Sequence, residues 1–200
     1  MPIKCLTPND YTVSEWAGGT TTQIALFPEN SIYADRDFLW RLSSATVLLD
    51  ESDFTALPDY DRLISTLRGD MTLTHDSGAP VMLKPYQTHS FDGGVKTHSV
   101  GKCTDFNLML RKGRCVGEIE ALHTCGGKIA ECRLRMESAG KYHNAAFLLY
   151  CSEGSGRAAC AGEEAPLSAG KAIYITAPDD GVVQVCSEVP ASFMAARISY

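Results

Sequence analysis

From Phe54 to Gly94 the chain is cut by closely spaced turn residues into short β-prone runs, and that rhythm restricts it to a small set of sheet folds. The stretch reads FTALPDYDRLISTLRGDMTLTHDSGAPVMLKPYQTHSFDGG, with turn signals at Pro58-Asp59, Arg68-Gly69-Asp70, Asp76-Ser77-Gly78 and Pro85. Pro fixes φ and removes a ladder donor, while Gly and Asp accept the backbone of tight turns. Between these points lie candidate strands at Asp61–Leu67, up to Thr74, around Val81–Leu83 and up to Phe91. Short strands closed this regularly mark a meander or Greek key, so the stretch is expected to be the centre of a small β-barrel.

The rhythm returns later in the chain. Asn144–Cys151 leads into Glu153-Gly154-Ser155-Gly156, then Arg157–Ala161, Pro166–Lys171, Ala172–Thr176 and Pro178. The strand ending in Gly69 matches the one ending in Gly154, and Leu83-Lys84-Pro85 matches Leu167-Ser168-Ala169-Gly170. A weak internal repeat of this kind indicates two β-barrels in tandem. The pattern of strand, Gly turn, strand, Leu-x-x-Gly, strand and Pro resembles the cupin arrangement. The expected fold is therefore all-β: tandem cupin-like barrels of the RmlC-like jelly-roll type, a bicupin. Gly113-Arg114 reads as the hinge, dividing the chain into an amino-terminal barrel, 1–113, and a carboxy-terminal barrel, 114–200.

Composition narrows the function classes. A net charge of −6 with no block of Lys or Arg excludes a surface that tracks phosphates, so no nucleic-acid partner is expected. No apolar run approaches the ~20 residues that a membrane-spanning helix needs, and Met1–Pro8 lacks the hydrophobic segment of a signal peptide. The expected location is cytoplasmic. The eight cysteines, at 5, 103, 115, 125, 132, 151, 160 and 186, show no Cys-x-x-Cys and no regular framework. They read as reduced thiols, several of them small core hydrophobes.

Polar residues at strand spacing supply the candidate site. Trp16 precedes Gly18-Gly19-Thr20-Thr21-Thr22, which is either a bend feeding an edge strand with Trp16 packed beneath it, or a loop whose N–H groups and hydroxyls face a small anion. Phe38–Leu49 reads as one long strand; alternation puts Arg41, Ser43 and Ala45 on one face and Trp40, Leu42 and Ser44 on the other. Arg62 shares a face with Ile64, Thr66 and Arg68. Asp105, Asn107 and Met109 alternate with Phe106, Leu108 and Leu110, so an acid and an amide lie on one face of a strand that leads to Arg111. Such polar pairs inside a barrel need partners or a ligand. In the second half, Cys115–His123 and Lys128–Met136 are expected to pair as a hairpin about Thr124–Gly127, closed by a turn at Ser138–Lys141. That half shows no convergent polar cluster and is expected to be structural or to form a homodimer surface.

Metal chemistry is disfavoured. A metal-binding cupin carries a His-x-His pair and a Glu ahead of the central strand; here that region holds Thr55-Ala56-Leu57-Pro58 and Asp61-Arg62. His89 alone answers to the last ligand, and one imidazole does not hold a transition metal. No metal and no cofactor are expected.

Trp16 with Gly18–Thr22, Asp37–Ala45, Phe54–Pro58 with Asp61-Arg62, Gly69, Phe91-Asp92-Gly93, and Thr104–Met109 with Arg111 together resemble the HutD/Ves family, in order and spacing, over residues 1–113. The resemblance implies a bicupin without catalytic metal, associated with histidine utilisation, for which sensing or buffering of an intermediate such as formylglutamate or urocanate has been suggested. This chain departs from the usual pattern in its shortened Trp-Ala-Gly-Gly-Thr run, in Gln23 where an acid is usual, and in Gly94 where Asp often stands. These departures bear on the ligand and not on the fold.

Joined together, Arg41, Arg62 and Arg111 with Thr21, Ser43, Asp105 and Asn107 form the expected binding site, walled by Trp16, Trp40 and Phe91. Guanidinium groups at a barrel mouth pair with a carboxylate in forked geometry, so the expected ligand is a small anionic metabolite, bound without turnover in a regulatory or accessory role. Two alternatives stand beside this. One is a metal-independent isomerase or hydrolase with Asp105 as base and an arginine as electrophilic clamp. The other is a structural interaction protein with a filled interior.

Overall fold

The computed structural model describes residues 3–136, 140–178 and 180–200, nearly all of them in antiparallel strands and the turns that join them. In chain order the strands are β1 (Lys4–Leu6), β2 (Thr12–Trp16), β3 (Gly19–Phe27), β4 (Trp40–Val47), β5 (Glu51–Asp53), β6 (Tyr60–Arg68), β7 (Met71–His75), β8 (Val81–Leu83), β9 (Thr88–Asp92), β10 (Thr97–Val100) and β11 (Cys103–Arg111). They continue with β12 (Val116–Thr124), β13 (Ile129–Arg133), β14 (Ala145–Glu153), β15 (Ser155–Cys160), β16 (Glu163–Ser168), β17 (Ala172–Thr176), β18 (Val182–Cys186) and β19 (Ala191–Ser199). Two 3₁₀ turns, Pro8–Asp10 and Tyr33–Asp35, interrupt them. Among the described residues no helix is long and apolar enough to cross a membrane.

Two compact units emerge. The first is Tyr11–Arg114; the second is Cys115–Tyr200 together with the described residues up to Asp10. The start of the chain, expected in the amino-terminal barrel, instead supplies β1 to the second unit, where Lys4–Leu6 pairs with Ala172–Tyr174 of β17.

Each unit is a pair of antiparallel sheets, and the two pairs have the same connectivity. In the first unit the sheets run β2-β3-β4-β11-β6-β9 and β5-β10-β7-β8; in the second, β12-β19-β14-β17-β1 and β13-β18-β15-β16. Removing β2, β3 and β1 leaves two eight-stranded copies, with β4 answering to β12 and β11 to β19. This is the jelly-roll repeat that the sequence rhythm announces. Gly69 and Gly154 occupy equivalent turns with φ of 74° and 75°, where L side chains are strained. A Cβ at either would overlap a backbone carbonyl, that of Lys102 or of Pro190, at the entry to β11 or β19.

Segment boundaries follow the period-two pattern, but pairing does not always. Cys115–His123 and Lys128–Met136 do not form a hairpin: β12 pairs with β19 and β13 with β18, in different sheets. The Gly126-Gly127 corner, whose N–H groups donate to Glu188 and Ser187 carbonyls, carries the chain between them. A Gly-Gly corner serves a sheet crossing as well as a hairpin, so local sequence does not distinguish the two. The Ser138–Lys141 turn falls partly outside the described residues. Asp50–Asp53, expected only to close a strand, contributes β5.

The central strands of the first unit are buried on both faces. Trp40, Leu42, Phe106 and Leu108 are fully buried on one side of β4 and β11, and Phe38 stacks on Tyr60 at 4.4 Å near their ends. Burying side chains of this size stabilises by roughly 1.5–3 kcal/mol each, which fixes the register of the opposite, polar face.

Candidate functional site

The polar face of the β3-β4-β11-β6-β9 sheet is laid out by its registers. One row runs Thr21–Ala45–Asp105–Thr66, the next Gln23–Ser43–Asn107–Ile64–His89, the third Leu26–Arg41–Met109–Arg62–Phe91. Register shifts at Thr104/Asp105 and at Gln23/Ala25 flank the site. Bulges re-aim side chains where they occur, and here they border Asp105 and Gln23.

These rows line a cavity of about 280 Å³, bounded by Ser14, Trp16, Thr21, Arg41, Ser43, Arg62, Asp105 and Asn107, with Tyr33, Asp53, Phe54 and Met109 among the others. Seven of the ten residues expected in the site and its wall therefore meet there. Phe91 stands outside, with its ring 5.3 Å from the Arg62 guanidinium carbon. Arg111 is not part of it. Its Nη1 donates to the Arg36 carbonyl at 3.0 Å and to the Tyr60 hydroxyl at 3.1 Å, tying a loop to the sheet. It lies at the end of β11, beyond the cavity's last row, and alternation alone does not show where a strand ceases to face a cavity. Trp40, assigned to the wall, lies on the opposite, apolar face, fully buried.

Trp16 does line the cavity, but on the edge strand β2 and 41% exposed rather than packed beneath a strand. The Gly18-Gly19 pair is structural: Gly18 leaves room for the Trp16 ring, and Gly19 approaches the Thr46 carbonyl too closely for a side chain. Tyr33 and Phe54 were not expected in the site, and Gln23 was marked only as standing where an acid is usual, not as a partner of Arg41. Tyr33 sits in a polar loop and Phe54 follows an acidic one, so no local signal marks either.

The charges are unevenly matched. Arg41, 5% exposed, donates from Nε to Gln23 Oε1 at 2.9 Å and from Nη1 to Ser43 Oγ at 3.1 Å, and lies 4.1 Å from the Tyr33 ring centre. Arg62 is 6% exposed and is held between Phe54 and Phe91; its buried Nε has no acceptor among the described residues. Neither arginine forms an ion pair among the described residues. Burial lowers both, Arg62 to about 10 against the attraction of Asp105. Both stay cationic at neutral pH.

Asp105 is the single buried acid of the face. Its Oδ1 accepts the Ala45 N–H at 3.2 Å. Burial raises its pKa to about 6 in spite of Arg62, that N–H and Arg41, which pull it down. Asn107 adds an orphan, a buried Oδ1 with no donor among the described residues. The cavity thus brings together two guanidinium groups and two carboxyl groups, the buried Asp105 and the exposed Asp53 at its rim, with the Arg62 Nε and Asn107 Oδ1 unpartnered among the described residues.

Histidines do not assemble a metal centre, and no group of three or more metal-ligating side chains occurs among the described residues. His89 bonds His75 instead, Nε2 to Nε2 at 2.9 Å, while His75 Nδ1 meets Thr97 Oγ1 at 2.9 Å. The ring centres are 5.1 Å apart with an interplanar angle of 23°, an in-line N–H···N arrangement in which each ring's inner nitrogen already faces the other.

Comparison with solved structures places the fold. A conserved protein of unknown function from Pseudomonas aeruginosa PAO1 superposes with a TM-score of 0.82 at 23% identity, covering 100% of both chains. HutD from Pseudomonas fluorescens SBW25, solved in a formate condition, gives 0.72 at 19% identity, again over 100% of both chains. The bacterial pirin YhhW from Escherichia coli gives 0.67 at 8% identity over 98% of this chain and 97% of that one. No curated protein matches the sequence. The HutD family model matches residues 8–191, which takes in most of both units as well as the strands that carry the cavity, and on that match the chain belongs to the HutD family.

Proposed function

We propose that the cavity of the first unit binds a small carboxylate without turning it over, and that the protein acts as a regulatory or accessory component of histidine or amino-acid catabolism. The observation that carries this reading is Arg62: a buried guanidinium whose Nε has no acceptor among the described residues. Leaving such a cation unpaired costs several kcal/mol, a cost that an anion in forked contact offsets. The volume, about 280 Å³, lies just below the roughly 300 Å³ at which sites for drug-sized ligands start, and suits a small metabolite such as formylglutamate or urocanate. The aromatic wall of Trp16, Tyr33 and Phe54 supplies apolar cover. A filled interior, as a purely structural protein would have, does not fit this unit.

Titration calorimetry of the protein with formylglutamate, urocanate, glutamate and formate tests the reading. Saturable heat that disappears in Arg62→Met is the expected result. Absence of heat with all four, in protein shown to be folded, refutes it.

Asp105 favours a second reading. A carboxylate whose pKa is raised to about 6 beside two cations has the properties of a general base, as a metal-independent isomerase or hydrolase requires. Turnover of one of these acids that stops in Asp105→Asn would select that reading over simple binding.

A further inference from the structure

We propose that carboxylate binding in this cavity is coupled to uptake of one proton by Asp105, so that the site binds an anion and a proton together. The inference rests on the carboxylate-binding reading above and adds its regulation by pH.

The geometry begins with what Asp105 lacks. Its carboxylate sits on the middle strand β11, 5% exposed, with one backbone N–H at 3.2 Å and no ion pair among the described residues. Buried carboxylates that stay ionised usually accept two or three such bonds or touch a cation. The charged and titratable groups around it come from each neighbouring strand. They are Arg41 on β4 and Arg62 on β6, both without an acid partner, and Asp53 of β5 at the cavity rim, held by His98 at 2.9 Å. Cys103 lies on its own strand, its thiol raised to about 12 and so neutral. Tyr33 stands near both arginines. Beyond Phe91 lie His75 and His89, both lowered by burial and so neutral above their ordinary range.

Arg62 is the largest attraction that keeps Asp105 ionised. A ligand carboxylate that engages Arg62 places a negative charge beside that cation and cancels its effect on Asp105. It also displaces the water that remains in the cavity. Both changes disfavour a second anion, for the same reason that two carboxylates sharing a site do not both ionise. The proton comes from solvent and stays on the carboxyl oxygen. The resulting O–H is the kind of donor that Asn107 Oδ1, orphaned two residues along the same face, does not now have. It is equally suited to a ligand carboxylate oxygen. By linkage, the affinity for a carboxylate should fall by up to about tenfold per pH unit above pH 6.

The test is calorimetry of the full chain at pH 7 with acetate, succinate and glutamate, in phosphate and in Tris, whose ionisation enthalpies differ. The expected result is uptake of roughly 0.4–0.9 proton per carboxylate bound at pH 7 and an affinity that drops about two- to ninefold from pH 7 to pH 8. Asp105→Asn, whatever its affinity, should exchange no proton and lose the pH dependence. Heat without proton exchange in the wild type overturns the coupling while leaving the binding reading intact. Unchanged proton uptake in Asp105→Asn also overturns it; loss of that uptake in His89→Gln would then identify the histidine pair as the carrier. No heat with any of the three acids removes the binding reading and the coupling with it. Should Asp105→Asn fail to fold, a ¹³C carboxyl titration of the wild type decides: the Asp105 midpoint must rise by at least about one pH unit when acetate is added, and an unmoved midpoint refutes the proposal.

Discussion

Arg62→Met separates the cost of the site from its use. Burial lowers the Arg62 pKa from 12.5 to about 10, and a difference of that size corresponds to about 3 kcal/mol against the charged form in the folded protein. Met removes the charge and keeps much of the volume between Phe54 and Phe91. What is lost is the cation's attraction to those two rings, 4.6 and 5.3 Å away, worth roughly 0.5–1 kcal/mol each. The variant should therefore be more stable than the parent by about 1–2 kcal/mol while binding no carboxylate. The gain should depend on pH. Without Arg62, Asp105 loses its strongest cationic neighbour, so the benefit is largest near pH 5, where Asp105 is protonated, and smaller at pH 8. Urea denaturation at both pH values, monitored by tryptophan fluorescence, measures it. Destabilisation by more than about 1 kcal/mol at pH 5 would refute the reasoning, because it would mean that Arg62 is held by structural bonds.

Asp105→Asn should stabilise the protein at pH 8 by about 3 kcal/mol and leave it nearly unchanged at pH 4. The folded-state pKa of about 6 lies above the ordinary 3.8, so the parent loses stability as pH climbs between those values, and Asn removes that loss; thermal melts across pH 4–8 show it. Arg111→Met should cost about 1–3 kcal/mol by leaving the Arg36 carbonyl and Tyr60 hydroxyl short of a donor, yet alter carboxylate affinity less than about threefold, a margin under 1 kcal/mol. Gly69→Ala and Gly154→Ala should each cost about 2–4 kcal/mol, and by similar amounts, since both turns face the same carbonyl obstruction; chemical denaturation of the pair compares them.

The architecture was readable because strand punctuation is local. Gly69, Pro85, Gly154 and Pro178 break the chain where backbone geometry requires it, and their spacing repeats. Period-two alternation placed Arg41 and Ser43 on one face and Asp105 and Asn107 on another, and the β4·β11 register then brought those faces together. Pairing partners were not local, which is why Cys115–Met136 looked like a hairpin and why β1 was expected in the wrong unit. The same limit applies to Arg111. It continues the face of Asp105, Asn107 and Met109, but Tyr60 and the 36–38 backbone reach it first. Tyr33 entered the site from a loop, through ring contacts with Arg36 and Arg41 that no periodicity encodes.

The repeat also explains why the interior positions that line a polar cavity in the first unit are packed in the second. Aligning the copies by register, with Cys103 opposite Val47 and Ala191 opposite Thr124 at the strand entries, sets Asp105 against Phe193, Asn107 against Ala195, Arg62 against Phe147 and Phe91 against Ile175. In the second unit those positions are fully or almost fully buried and belong to one apolar cluster with Leu149, Cys151 and Ile173. A Phe where the first unit has an acid fills the space and leaves no charge to satisfy. The one cation on that face, Arg197, stands where the first unit has Met109, and it is paired with Glu118 at 3.2 Å and Glu120 at 2.8 Å, the positions of Arg41 and Ser43. One backbone plan therefore carries two solutions to the same interior: aromatic packing with a matched ion cluster in one copy, and in the other a buried guanidinium with its nearest acid too far to pair. In the first solution the guanidinium charge is matched by two carboxylates, although its Nε has no partner among the described residues. The second costs stability unless something negative enters, which is the physical reason for proposing ligand binding in the Tyr11–Arg114 unit.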